Sequence, residues 1–130
     1  MTVFITKSPV PDNKGWMPDL SSAQNYGPAK FVFEGHEHVY ALPGPSLHKA
    51  RRVLKDFDWT TDYLLHPNSF DQMALVCAMT AILELAPDYV NILYFDRAMK
   101  EDGTRDRRSG SYYPIRLELK RSAHAAANIA

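Results

Sequence analysis

Residues 62–95 read DYLLHPNSFDQMALVCAMTAILELAPDYVNILYF, and the order of apolar segments in this stretch decides the fold. The segment 62–66 predicts a short strand, and 70–85 predicts a helix that is apolar on nearly every side. Residues 89–95 predict a second, strongly apolar strand. Because a helix between two strands favours a right-handed crossover with parallel pairing, the stretch predicts an open α/β sheet.

The sequence on either side continues this alternation of strands and helices. Strands are predicted at 3–5 and 30–34, helices at 20–26 and 46–57, and, after a polar connection at 96–110, an edge strand at 112–119. The predicted helix caps are Asp19, Ser46 and either Asn68 or Ser69. The order β-α-β-α-β-α-β-β predicts a small open, mostly parallel sheet with a C-terminal antiparallel hairpin. We expect one α/β domain over 1–120 and a flexible tail at 121–130.

Composition and charge limit the classes of function. The chain has 130 residues, 45% of them hydrophobic, and 15 basic residues balance 15 acidic ones. This balance is typical of an ordinary globular domain and argues against a DNA mimic, and a nucleic-acid partner stays open without being favoured. The single cysteine, Cys77, lies in an apolar run, which predicts a buried, inert thiol suited to a reducing cytoplasm.

Nothing in the sequence indicates a membrane segment. The N-terminal residues do not form a signal-peptide pattern. The longest apolar run, 73–83, is far shorter than the roughly 20 residues that a membrane span needs. We therefore expect a soluble protein without a membrane partner.

The first candidate site lies where a predicted strand runs into the long helix. His66, Asn68 and Ser69 occupy this junction, and the free N–H groups of a helix N-terminus attract anions beyond the carboxyl ends of parallel strands. These residues are therefore candidate ligands for a nucleotide or another small anion. The competing interpretation is plain N-capping by Asn68 or Ser69. Neither a Gly-x-Gly-x-x-Gly loop nor a Walker-type phosphate loop occurs.

Metal and catalytic signals are weak. His36 and His38 would point to the same side of an extended segment, and His48 or His66 could supply a third ligand, but the sequence contains no zinc-binding motif. No Gly-x-Ser-x-Gly elbow occurs, and the only cysteine is predicted to be buried. We therefore assign no catalytic residue, no metal and no cofactor, and an enzyme is the less favoured class.

The second candidate site is the basic connection between the last two strands together with the tyrosines after it, which we expect to be exposed. It contains Arg97, Lys100, Arg105, Arg107, Arg108, Tyr112 and Tyr113. Such a surface can bind an acidic protein or a nucleic-acid strand, although three acidic residues offset most of its charge. The edge strand at 111–120 can also pair with a partner or with a second copy of the chain.

Several short motifs, taken together, resemble a group of small tailed-bacteriophage proteins of unknown function. They are an Asp-Tyr-Leu-Leu strand at 62–65, a helix rich in small residues, an aromatic-Asp-Arg strand end at 95–97 and a Tyr-x-Pro-x-x-Leu strand beginning at Tyr112. Two features depart from the pattern: His66-Pro67-Asn68 replaces a Gly-Asp-Pro entry to the helix, and the connection after Arg97 is longer.

The resemblance implies an accessory protein that acts in the cytoplasm of the host bacterium. The leading hypothesis is that it binds a host protein and modulates or inhibits it. The alternatives are a protein that binds or degrades nucleotides through the junction at His66, and a minor structural protein of the virion.

Overall fold

The backbone is known for most of the chain. The computed structural model describes residues 1–11, 15, 19–39, 44–67, 71–99, 103 and 105–119, and at 97–99 and 105–109 it describes the backbone alone. The predicted tail at 121–130 lies outside the described residues.

The secondary structure follows the predicted order, with a 3₁₀ helix in place of the first α-helix. The elements are β1 (Val3–Lys7), the 3₁₀ helix (Ser21–Tyr26), β2 (Ala29–Phe33), α1 (Pro45–Leu54), β3 (Tyr63–Leu65), α2 (Gln72–Leu83), β4 (Tyr89–Met99) and β5 (Arg105–Glu118).

The five strands form one mixed sheet with the spatial order β2-β1-β3-β4-β5. β1 lies parallel to both β2 and β3, and β3 lies parallel to β4. β5 pairs antiparallel with β4 along nearly its whole length. The α/β class and the C-terminal antiparallel hairpin are therefore confirmed.

Each face of the sheet packs against different elements, because successive side chains of a strand point to opposite faces. Phe4, Leu64 and Val90 belong to the larger cluster, which lies against α1 and α2. Val3 and Leu65 belong to the smaller cluster, which packs against the 3₁₀ helix. The central strands are thus buried on both faces, as near-continuous apolar runs predict.

The first two helices begin differently from the prediction. The segment predicted to follow an Asp19 cap forms a 3₁₀ helix after Leu20, although the Asp19 carboxylate does accept a hydrogen bond from the N–H of Ser21 at 2.9 Å. α1 begins at Pro45, whose fixed φ suits a first helical turn. Ser46 therefore lies inside α1 and is buried, and it is not the cap.

The long helix also begins later than predicted. α2 starts at Gln72, and its N-cap is Asp71, whose side chain accepts hydrogen bonds from the N–H groups of Met73 and Ala74. The prediction of a cap at Asn68 or Ser69 is therefore wrong. An aspartate is as good an N-cap as asparagine or serine, and its charge adds attraction to the positive end of the helix dipole.

α2 is packed on more than one side, against α1 and against the sheet, and is open on another. It contacts α1, β1 and β2, and its residues Ala74, Cys77, Ala78, Ala81 and Ile82 are buried. Val76 and Leu83, by contrast, are exposed. Among the described residues, no element packs against the side of α2 that carries Val76 and Leu83.

The polar segment 97–110 is mostly strand. Asp96 pairs with Ser111, Arg97 with Gly110 and, after a bulge, Met99 with Arg105. The predicted connection therefore shrinks to residues 100–104. Ladder pairing uses backbone N–H and C=O groups, so a charged sequence does not prevent it.

The exposure of β5 also differs from the prediction. Tyr112 is only 7% exposed and contacts the smaller cluster, so the expectation that it is exposed is wrong. Burial and the charge of Asp19 raise the pKa of Tyr112 to about 12. Tyr113, Ile115 and Leu117 are 39%, 42% and 40% exposed, because α1 and α2 lie on the same face of the sheet but pack mainly over β1 and β2 and do not cover β5.

Asp62 ties the start of β3 to the N-terminus of the chain. Its buried carboxylate accepts hydrogen bonds from the N–H groups of Thr2 and Asp58, both at 2.9 Å. A buried carboxylate needs such donors, since an unpaired charge in the interior is costly.

The single cysteine is buried, as the sequence predicts. Cys77 is 3% exposed, and burial, reinforced by the charge of Asp71, raises the pKa of its thiol, as expected for an inert cysteine.

Across the described ranges, neither helix has the length and apolar character of a bilayer span.

Candidate functional site

A crevice opens where the direction of the chain connections reverses. β1 is flanked by β2 and β3, and the connections that leave β1 and β3 run to opposite faces of the sheet. In open α/β sheets ligands bind at such a switch point, beyond the carboxyl ends of the strands. The crevice has a volume of about 90 Å³ and is lined by Thr6, Lys7, Ser8, Pro9, Val10, Gly35, His66, Pro67 and Asp71.

Gly35 allows one wall of the crevice to form. It follows β2 and lies against the segment that follows β1, where the Ser8 N–H donates to the Phe33 carbonyl at 3.0 Å. A Cβ at position 35 would lie 2.5 Å from Cγ1 of Val10 and 2.9 Å from the carbonyl oxygen of Ser8. Only glycine therefore fits without a shift of the wall.

His66, a residue of the first candidate site, is the central polar side chain of the crevice. It follows β3 directly, and its Nδ1 lies 2.7 Å from the Oγ1 of Thr6 at the end of β1. The other ring nitrogen, Nε2, is buried and has no hydrogen-bond partner among the described residues. Thr6 itself is 0% exposed, so it orients the imidazole and is not accessible as a nucleophile.

The imidazole of His66 is neutral at physiological pH. Burial lowers its pKa below the ordinary value of 6.5, and the nearby negative charge of Asp71 opposes this only in part. A neutral imidazole has one nitrogen that donates and one that accepts. Nδ1 is either the donor or the acceptor in the hydrogen bond with Thr6, and Nε2 therefore has the opposite capacity.

Lys7 and Asp71 form an ion pair at the N-terminus of α2. The Lys7 ammonium lies 2.8 Å from Oδ2 of Asp71, while Oδ1 caps the helix. Burial opposes ionisation of Asp71, but the hydrogen bonds and charge of Lys7, with the N–H groups of Met73 and Ala74, together lower its pKa. Asp71 is thus ionised and held by both neighbours.

The electrostatics differ from those of a phosphate site. The positive charge of Lys7 is neutralised by Asp71, and the helix N–H groups that an anion would use already donate to that carboxylate. Glu37, beside the site, is paired with Lys49 at 2.6 Å. The described lining therefore has no net positive charge, and it offers hydrogen bonds more than charge attraction.

The remaining predicted residues are placed as follows. Asn68, Ser69 and Lys100 lie outside the described residues, and only the backbone is described for Arg97, Arg105, Arg107 and Arg108. Tyr113 is exposed, and its ring meets that of Tyr94 edge-on at 5.4 Å. His36 and His38 are exposed and do not line the crevice. Within the described parts of the chain, no group of three His, Cys, Asp or Glu side chains could hold a metal ion.

Among the crevice residues that are not predicted from the sequence, four shape the site: Thr6, Lys7, Asp71 and Gly35. Thr6 and Lys7 end β1, and they would have been found by expecting β1 and β3 to be parallel neighbours with adjacent carboxyl ends. Asp71 carried the signal of an acidic residue directly before an apolar helix. Gly35 gives no local sequence sign of the close contact with Val10 and Ser8 that requires a glycine.

Comparison with protein families gives one match. The family model described as phage Pam3 gp32-like protein matches residues 1–103. The chain belongs to the phage Pam3 gp32-like family. The matched range includes every residue that lines the crevice and ends before β5. Searches of curated proteins and of solved structures found no match.

Proposed function

We propose that the protein binds the polar end of a small ligand in the crevice between β1 and β3. The observation that carries the proposal is the position of His66: a neutral imidazole at the switch point of the sheet, with Nε2 unpaired among the described residues. A buried polar atom without a partner costs about 1–3 kcal/mol, so an unpaired one in a native protein needs an explanation. A ligand group that pairs with Nε2 removes this cost.

The volume and charge of the crevice support an uncharged head group. At about 90 Å³ the crevice has room for the end of a ligand and not for a whole nucleotide. A hydroxyl-bearing or amide-bearing fragment of a larger molecule fits this space, with the rest of the ligand outside. An inorganic phosphate would have to compete with Asp71 for Lys7, which makes the small-anion version the second choice.

The test is thermal unfolding of the purified protein with a panel of nucleosides, the matching nucleotides and inorganic phosphate. A ligand at 100 times its dissociation constant stabilises the folded state by about 2.7 kcal/mol. For a domain of this size that is roughly 3–5 °C in Tm for each kcal/mol. We expect a nucleoside to raise Tm and the matching nucleotide to raise it no further.

Two matched histidine variants localise the binding. His66→Gln should raise the dissociation constant about tenfold, because it breaks the hydrogen bond with Thr6 and replaces the imidazole Nε2 that would contact the ligand. His48→Gln is the control, because His48 is exposed on α1 and does not line the crevice. Equal effects of the two changes, or a flat response to the whole panel, would contradict the proposal.

A second candidate function is binding of a host protein. Membership of a phage family supports it, and so does the ribbon formed by β4 and β5. β3 pairs only with residues 91–93 of β4, so the part of β4 after Leu93 has β5 as its only described strand neighbour. This two-stranded ribbon includes Arg97, Arg105, Arg107 and Arg108 and suits contact with a partner.

Most of the ribbon, residues 97–110, can be removed while the rest of the sheet keeps its strand pairing. Asp96 and Ser111 lie directly opposite each other, so replacing residues 97–110 by Asn-Gly closes a two-residue hairpin. Capture of one stoichiometric host protein by the full chain, and its loss with the shortened chain at unchanged Tm, is the expected result. Equal capture by both chains would refute a role for the ribbon, and presence of the protein in purified virions would favour a structural role instead.

A further inference from the structure

The outer edge of β5 has a definite hydrogen-bonding pattern. The N–H of Leu119 donates to the carbonyl of Asp88 at 2.9 Å, so residue 119 directs its backbone groups toward β4. Since backbone direction alternates along a strand, residues 113, 115 and 117 do the same, and 112, 114, 116 and 118 point outward. Pro114 agrees with this assignment, because its missing N–H then faces away from the ladder.

Part of that edge is covered by the 3₁₀ helix. The outward N–H of Tyr112 donates to the Ser22 hydroxyl at 3.3 Å, and its carbonyl accepts from the Tyr26 hydroxyl at 3.2 Å. Farther along, the outward backbone groups of Arg116 and Glu118 have no hydrogen-bond partner among the described residues. An open edge of this kind is a template for pairing with another strand.

The two faces of the open edge differ in character. Ile115 and Leu117 are exposed on the face that carries α1 and α2, next to the paired rings of Tyr94 and Tyr113. Arg116 and Glu118 lie on the opposite face, where the Arg116 guanidinium sits 3.8 Å from the centre of the Tyr89 ring. One strand edge thus presents an apolar row and a row of alternating charge.

We propose that a second copy of the chain pairs antiparallel with this edge about a two-fold axis at Leu117. That register places Arg116 opposite the partner's Glu118, and it repeats the same pair by symmetry. It also places Leu117 against the partner's Leu117 on the apolar face. Opposite charges directly across a ladder stabilise a strand pair, and apolar pairs add to this.

Neighbouring registers fit worse. An axis at residue 116 sets Arg116 against the partner's Arg116, and an axis at 118 sets two glutamates against each other, which is destabilising. An axis at 115 sets Pro114 opposite the partner's Arg116, inside the paired segment, where it has no N–H to donate; with the axis at Leu117, Pro114 is opposite residue 120, after the end of β5. Charge complementarity and the backbone pattern therefore select Leu117.

Charge reversal tests the pairing. Sedimentation and light scattering over a concentration series should show a dimer for the wild type. Arg116→Glu and Glu118→Arg should each raise the dissociation constant about tenfold, because symmetry repeats each like-charge pair. The double variant Arg116→Glu with Glu118→Arg should restore the dimer, and circular dichroism of each variant verifies that it is folded.

Cysteine cross-linking tests the register. Residue 117 of each copy would occupy a non-hydrogen-bonded pair with Cα atoms about 4.5 Å apart, within reach of a disulfide. Leu117→Cys should therefore form a covalent dimer on oxidation. Ile115→Cys is the matched control and should not, because its two sulfur-bearing residues would lie about 14 Å apart along the strands.

Three outcomes overturn the proposal. They are a monomer at every concentration, a dimer that both single reversals leave unchanged, and a monomer that captures a host protein through the same residues. None of them bears on the crevice, which lies at the ends of β1 and β3, so the two proposals stand or fall separately.

Discussion

Replacing Asp71 separates two roles that one carboxylate combines. Oδ1 caps α2 by accepting from Met73 and Ala74 at 3.1 and 3.2 Å, and Oδ2 pairs with Lys7 at 2.8 Å. Asp71→Asn keeps a capping oxygen and loses the charge, at a cost of about 1 kcal/mol for a partly exposed ion pair. Asp71→Ala also loses the cap, which adds about 1 kcal/mol, for about 2 kcal/mol in total.

Denaturant unfolding at pH 7 measures both differences, and Tm should fall by roughly 3–5 °C for each kcal/mol. The pKa of Asp71 is lowered in the folded state, so its contribution is complete above the ordinary value of 3.8 and is lost as pH falls through the folded value. The gap between wild type and Asp71→Asn should therefore close in acid.

Equal stability of Asp71→Asn and Asp71→Ala would refute the capping role. Equal stability of wild type and Asp71→Asn at pH 7 would refute the contribution of the ion pair. A gap that persists unchanged at a pH where the carboxyl is protonated would show that the charge is not its source.

The remaining predictions concern three other positions. Burial lowers the pKa of His66, so the unfolded chain binds the extra proton first: stability should be complete above pH 6.5 and fall as pH drops below it. His66→Gln should flatten this dependence between pH 7 and 5, as followed by denaturant midpoints, whereas the exposed-site control His48→Gln should keep the wild-type slope. Gly35→Ala should destabilise by about 1–3 kcal/mol, because its Cβ would meet the carbonyl of Ser8 at 2.9 Å; an unchanged Tm would show that the wall adapts. Asp62→Ala removes the acceptor of two backbone N–H groups and should cost about 2–4 kcal/mol in urea unfolding, with a loss below 1 kcal/mol counting against that account.

Local pattern was sufficient for the order of the elements and the α/β class. The apolar runs at β1, β3 and β4 are typical of parallel strands buried on both faces, and the helix-length apolar segment between β3 and β4 favours the same pairing. Buried Cys77 followed from the same pattern. These features depend on neighbours within one element, so the periodicity of side chains is enough to predict them.

Helix starts and the ends of the hairpin were harder to predict. Asn68, Ser69 and Asp71 are all good N-cap residues and lie within four positions before α2, so local propensity does not rank them. The fold favours Asp71, because Lys7, 64 residues away in the sequence, pairs with its carboxylate. The charged residues of 97–110 predict a loop, because side-chain polarity does not reveal that the backbone groups of this segment pair between β4 and β5.

The crevice depends on contacts between distant segments. Thr6 and His66 lie 60 residues apart and meet only because β1 and β3 become neighbours in the sheet. Tyr112 is buried because the 3₁₀ helix, 90 residues earlier at Ser22, reaches the edge of β5. Side-chain pattern specifies which segments are apolar, whereas strand order specifies which polar groups meet, and strand order is settled by packing of the whole chain.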